Sequence, residues 1–156
     1  MLDELDRRLI SKLQSDGRQS NIKLASDLGI SERTVRNRLN NLLKKGVIKI
    51  TAMPNLELLG YDFIGIVGLQ IQLASLNTIT KTLMDQPNIC YLANITGRYD
   101  LMFIAVAKSS REFAEFMERT VPNISGIIRT ETFVNLHLYK GGLSGLDTRN
   151  LINIIQ

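Results

Sequence analysis

Cysteine is almost missing from this chain of 156 residues, with Cys90 its only representative. A single thiol cannot close an intrachain disulfide, so no covalent staple is available and a reducing compartment is expected. Cys90 sits in an apolar alternating run, the setting of a small buried hydrophobe rather than a reactive thiol. Histidine is equally scarce: His137 stands alone, without a second imidazole or a cysteine cluster beside it. Zinc sites and Ser–His or Cys–His dyads therefore lack their residues, and neither metal nor cofactor is expected. No phosphate-cradling glycine loop is present. No apolar run is long enough to span a bilayer, and the acidic start (Asp3, Glu4, Asp6) is unlike a secretory signal. These absences predict a soluble, cytoplasmic protein that makes no membrane contact and is not an enzyme.

What is present is unevenly distributed. Apolar residues make up 44% of the chain, enough for a real core in one domain or two small ones. Residues 1–50 hold 11 of the 19 Lys and Arg but 6 of the 15 acids, a balance of +5, and the remainder of the chain balances at −1. Positive charge is thus concentrated in a head, which argues for a polyanion partner there and another task for the body.

The head reads as three helices. Leu2, Leu5, Leu9, Ile10 and Leu13 mark the first, with Asp3 as its cap and Gly17 near its end. Leu24, Ala25 and Leu28 fall on one face of the second, which Gly29 stops. Ile30 plugs the corner and Ser31 caps the third helix, where Val35, Leu39 and Leu42 form the buried stripe. Its other surface carries Glu32, Arg33, Thr34, Arg36, Asn37, Arg38, Asn40 and Asn41, with Glu32 the only acid before Lys45. Arg suits guanine edges and phosphates, and Asn suits adenine edges. A helical hairpin with merely solvated charges would mix in acids, so the pattern points to a helix-turn-helix. Ser31, Glu32, Arg33, Thr34, Arg36, Asn37, Arg38 and Asn40 are the candidate DNA-facing residues. A β-prone run, 47–52, leads away from this domain, which spans residues 1–50.

Residues 51–60 lack a clear period and read as a connector. Beyond Gly60 the apolar period falls from near 3.6 to near 2, and the body extends to residue 142. A strand over 62–73 precedes a helix that keeps its spacing from Leu76 to Pro87. Strands over 89–96 and 100–107 flank a turn at Gly97–Arg98–Tyr99. Ser109 and Glu112, at capping-box spacing, open a helix ended by Pro122–Asn123, and 126–139 reads as a long last strand. Strand, helix, strand, strand, helix, strand is the order of a ferredoxin-like unit, giving an α+β fold overall. After Gly141–Gly142 comes the tail at 143–156, where the spacing of Leu151, Ile154 and Ile155 on one face predicts a short helix over 147–156.

Helices cover one face of such a sheet. Yet the first strand places Phe63, Val67, Leu69 and Ile71 on one side and Ile64 and Ile66 on the other. The third likewise alternates Leu101, Phe103 and Ala105 with Met102, Ile104 and Val106. A second apolar face of this kind predicts self-association through the sheet.

Taken together, these residues resemble the Lrp/AsnC (feast/famine) family of prokaryotic transcription regulators over nearly the whole chain. The resemblance is carried by Leu2–Asp3 with Asp6; by Leu24–Ala25, Leu28–Gly29–Ile30–Ser31, Val35, Arg38–Leu39, Leu42 and Gly46–Val47–Ile48; by Thr96–Gly97–Arg98–Tyr99–Asp100; and by Thr130–Glu131–Thr132. It implies a winged-type helix-turn-helix followed by a ligand-sensing domain. It also implies homodimers joined through the sensing domains, assembly into octamers or similar discs, and amino-acid effectors held between subunits. On that reading Gly97, Arg98, Tyr99, Asp100, Thr130 and Thr132 are the candidate effector residues. Their chemistry is suitable: Arg98 can meet a carboxylate in a bidentate way, and Asp100 an ammonium. A plain glycine hairpin with a charged tip, and threonines chosen for β-propensity, explain the same residues structurally. Two other functions are weighed against a regulator that binds a palindromic promoter site. One is an enzyme like the haem-pathway decarboxylases that resemble this family; the other is an amino-acid-sensing partner that does not touch DNA. Both are disfavoured by the basic third helix, which neither needs.

Overall fold

Asp3 begins the ordered architecture by capping the first helix with its side chain. The computed structural model describes residues 2–137 and Tyr139, so the helix expected over 147–156 lies outside the described residues. The chain divides into two compact units, residues 1–52 and 53–156.

The first unit holds α1 (Glu4–Ser15), α2 (Asn21–Leu28) and α3 (Glu32–Lys44). Each starts at a side-chain cap, Asp3, Ser20 and Ser31 respectively, which satisfies an amide that the helix itself leaves unpaired. Gly29 ends α2 in the left-handed conformation. Leu9, Leu24, Ala25, Leu28, Val35 and Leu42 are buried together, with Leu5, Ile10, Leu13, Ile30, Leu39 and Ile48 packed around them. The run 47–52, expected to be β-prone, forms no strand. The N–H groups of Val47 and Ile48 instead turn back to the Leu42 carbonyl, and a strand cannot persist without a ladder partner.

The second unit is a four-stranded antiparallel sheet in the order β2–β3–β1–β4, built from β1 (Phe63–Ile71), β2 (Ile89–Asn94), β3 (Leu101–Ala107) and β4 (Ile127–Val134). Helices α4 (Leu76–Met84) and α5 (Ser110–Thr120) connect β1 to β2 and β3 to β4. This is the ferredoxin-like α+β arrangement. Val67, Leu69, Leu101, Phe103 and Ala105 share a core with Ile79 and Leu83 of α4 and with Phe113 and Phe116 of α5. Ser109 caps α5 as its sequence suggests, but the Glu112 carboxylate reaches the Lys108 N–H rather than closing the box on Ser109.

The last strand is shorter than the run 126–139. In register β4 ends with Val134 opposite Gly65, and the Asn135 N–H makes one last bond to the Ile64 carbonyl. β1 itself continues to Phe63 but pairs there with β3 alone, so the ladder on its β4 side closes at that bond. The segment read as a connector also has structure. A turn of 3-10 helix over Glu57–Leu59 sets Leu56 and Tyr61 against Cys90 and Val106 on the sheet face away from α4 and α5. Burial pushes the Cys90 thiol up to about 11, so the cysteine is inert packing. Among the described residues, Leu56 and Tyr61 cover one end of that face. Ile66 and Met102 remain half-buried, and Tyr91 and Phe133 are exposed.

Candidate nucleic-acid interface and effector loop

Along α3 the spacing of Arg33, Arg36, Asn37 and Asn40 places them on one stripe, and all four are exposed. Val35 and Leu42 on the opposite side anchor this stripe to the core. Ser31 has a building role: its Oγ accepts from the Thr34 N–H at 3.1 Å and pairs with Thr34 Oγ1 at 2.8 Å. Glu32 accepts from Arg36 at 2.5 Å across one helical turn, an exposed pair that phosphate can compete for. What the stripe offers outward is two guanidiniums and two side-chain amides on a rigid helix.

Arg38 stands apart from the other candidate DNA-facing residues. Its guanidinium turns toward α1, where Nη1 donates to Asp3 Oδ2 at 2.5 Å and to Asp6 Oδ1 at 2.9 Å. The bond from Arg38 holds the Asp3 carboxyl below its ordinary value, and the same contact raises Arg38. Sequence reading missed this because the partners stand 35 and 32 residues away. Beside the pair, a groove of about 550 Å³ is lined by Leu2 and Asp6 and by Thr34, Asn37, Arg38, Asn41 and Lys45 along the flank of α3.

The loop between β2 and β3 is built as firmly as the helix. Gly97 adopts φ 124°, which an L side chain rarely takes, so the turn needs glycine there. The Arg98 carbonyl accepts from Gln70 Nε2 at 2.9 Å, while its side chain projects into solvent. Asp100 Oδ2 accepts from the Ile71 N–H at 2.9 Å and the Asp100 N–H bonds the Leu69 carbonyl, so half of that carboxylate serves the fold. Tyr99 lies buried on the open face of the sheet, its hydroxyl donating to Glu131. Arg98 and Arg129 stand 4.0 and 3.8 Å from the same Glu131 oxygen. The one signal in the sequence for Glu131 is its place between Thr130 and Thr132.

Thr130 and Thr132 are placed differently. They pair with Leu69 and Val67, and cross-strand partners share a face, so both threonines stand on the side of α4 and α5. Tyr99 and Glu131 occupy the opposite face, and one chain does not bring the threonines and Tyr99 together. Arg98, Asp100 and Thr130 all gather at the same end of β1, around Leu69 to Ile71.

A capped helix, a tight turn and an exposed basic second helix, followed by a ferredoxin-like sheet, define a two-domain DNA-binding regulator. Comparison with known proteins narrows the class. Residues 2–49 match the winged helix-turn-helix DNA-binding model and residues 64–143 match the Lrp/AsnC ligand binding domain. An HTH-type transcriptional regulator of Pyrococcus furiosus is 34% identical over 143 residues, covering 91% of this chain and 97% of that protein. The fold is shared with AsnC of E. coli at a TM-score of 0.85 and 22% identity, over 91% of this chain and 97% of that one. It is shared equally with a transcriptional regulator of Neisseria meningitidis solved with L-Met, at TM-score 0.85 and 19% identity, over 90% of this chain and 94% of that one. The chain belongs to the Lrp/AsnC family and is a DNA-binding transcription regulator rather than an enzyme.

Proposed function

We propose that the chain is a homo-oligomeric regulator that reads a two-fold symmetric promoter site and whose occupancy is set by a free amino acid bound between subunits. The observation that carries the first half is the stripe of Arg33, Arg36, Asn37 and Asn40, exposed on a helix whose other side is locked into the core. In a two-fold dimer such helices enter successive major grooves, so half-sites are spaced by about 10 bp or a multiple. Self-association is supported by the half-open sheet face that carries Ile66, Met102, Tyr91 and Phe133. Assembly of dimers into an octamer-like disc extends this reading, as does the cytoplasm as its place of action.

The effector half rests on the Gly97–Asp100 loop, where Arg98 is held out on a fixed turn and Asp100 retains one oxygen outside its bond to Ile71. The match to a ligand binding domain and the L-Met complex of a regulator of the same fold support it. A ligand contacting two subunits favours one assembly state by its differential affinity alone. Calorimetry with each of the twenty amino acids, paired with measurement of oligomer size, tests this reading. Binding by one or a few that disappears in Arg98→Ala is expected; silence from all twenty removes the effector half and leaves DNA binding untouched.

A further inference from the structure

The first turn of α1 divides its carboxylate oxygens between two tasks. Asp3 Oδ1 accepts from the Asp6 N–H at 2.9 Å and Asp6 Oδ2 from the Asp3 N–H at 3.3 Å, a reciprocal cap that closes the helix start. The other oxygen of each, Asp3 Oδ2 and Asp6 Oδ1, receives Nη1 of Arg38. One nitrogen with two hydrogens thus bridges two acids that the cap already holds still. The Asp6 and Arg38 side chains are only 15% and 30% exposed, so this contact is better shielded than the helix-surface pairs Glu4–Arg7 and Arg111–Glu115.

We infer that Arg38 is a positioning residue, which keys α3 to the capped start of α1 and so fixes the direction in which Arg33, Arg36, Asn37 and Asn40 project. The remaining contact between the helices is aliphatic, through Leu9, Val35 and Leu42 with Leu24 and Leu28. Apolar packing has little directional preference and tolerates small rotations of one helix on another. A charge-assisted bond has a preferred geometry and does not. A rotation of α3 about its own axis carries the exposed stripe sideways, where guanidinium and amide groups no longer meet base edges squarely. The device rests on the DNA-binding reading of α3, and it assigns Asp3 and Asp6 a part in specificity although both are acids beside a polyanion.

That last point makes the test decisive by its sign. The probe is a duplex selected from random DNA by the wild-type full chain, compared with an unrelated duplex of equal length, by fluorescence anisotropy across a salt series. Removing acids next to DNA should by charge alone tighten binding to any duplex. We expect the pair Asp3→Asn with Asp6→Asn instead to weaken binding to the selected duplex by about ten-fold, with a smaller effect on the unrelated one. Arg38→Ala should do the same with an unchanged salt slope, because a guanidinium engaged by Asp3 and Asp6 is not spent on a phosphate. Arg38→Lys, which keeps the charge and spare donors, should recover part of the loss. Asn caps a helix as well as Asp does, so Asp3→Asn alone keeps α1 intact and decides the matter if Arg38→Ala does not fold. The inference is overturned if Arg38→Ala lowers the salt slope by about 1 and weakens both duplexes alike, the mark of a direct phosphate contact. It is equally overturned if the Asn variants bind the selected duplex as tightly as wild type or tighter. A wild-type chain that selects no sequence would remove the DNA reading itself, and this inference with it.

Discussion

The ring of Tyr99 occupies the space where a side chain on Gly68 would stand: a Cβ there would lie 2.7 Å from Tyr99 Cγ and Cδ2. These contacts join the middle of β1 to the end of the candidate effector loop. Tyr99 is held from its other edge by Phe133, ring centroids 6.3 Å apart in an edge-to-face arrangement. Gly68→Ala must therefore push the ring off the sheet, and overpacking of this kind costs about 1–3 kcal/mol. The expected result is a lower denaturation midpoint for the sensing domain, read by near-UV dichroism of tyrosine, with the helix-turn-helix transition unchanged. Gly68→Ala unfolding like wild type would mean the ring is not confined there.

The hydroxyl of Tyr99 gives the same contact a pH signature. Its bond to Glu131 raises the phenol above its ordinary value of 10.0, because deprotonation would set a phenolate against a carboxylate. The folded state thus holds this proton more tightly than the unfolded state. That contribution is fully present below pH 10 and is lost as pH rises through the raised value. Absorbance titration at alkaline pH, with Tyr99→Phe subtracted to isolate one phenol among the four tyrosines, should show late ionisation. In Glu131→Gln the titration should move back toward 10; an unmoved titration would mean that Glu131 is not its partner.

Reading the sequence succeeded where the determinant was local. The caps at Asp3, Ser31 and Ser109 and the stripe of Val35, Leu39 and Leu42 are set by neighbours a few residues away, and the structure has them all. The order of strands and helices followed from the change in apolar period. It was silent where a distant partner decides. Arg38 looks like its neighbours Arg33 and Arg36 in a linear list, and only the fold brings Asp3 and Asp6 to it. Residues 126–139 look uniformly β-prone, but β4 spans only Ile127–Val134, and past the Asn135–Ile64 bond β1 pairs with β3 alone. Thr130 and Thr132 were correctly seen to share a face, while which face depended on a register that no local pattern encodes.

On α3, a difference between residues should separate reading from positioning. Arg36→Ala and Asn37→Ala remove exposed groups whose backbone stays anchored by Val35 and Leu42. Each is expected to weaken the selected duplex by about 1–3 kcal/mol if it meets a base edge, with relaxed preference at one base pair of each half-site. Ile22→Ala, exposed on α2 without a hydrogen-bonding group, serves as the comparison and should change affinity far less. Repeating the selection with each variant identifies the position lost, and unchanged sequence preference in both would exclude base reading by Arg36 and Asn37.

Ile66 and Phe133 are directly opposite each other in the β1–β4 ladder, on the face that α4 and α5 do not cover. Ile66 is half-buried by its own chain and Phe133 is 44% exposed, so neither is needed intact for the core beneath α4 and α5. If a second copy covers this face, Ile66→Asp buries an unpaired carboxylate in the interface, and the cost of several kcal/mol favours the separated chains. If nothing covers it, the same substitution leaves a carboxylate near water and changes assembly little. Light scattering of the full chain across a dilution series tells these apart, and dichroism checks that the sheet survives. A drop in mass for Ile66→Asp, with helix and strand signals retained, is the expected outcome. Specific DNA affinity should fall with it, because two α3 helices delivered by one particle bind at a high effective concentration that separate chains lack.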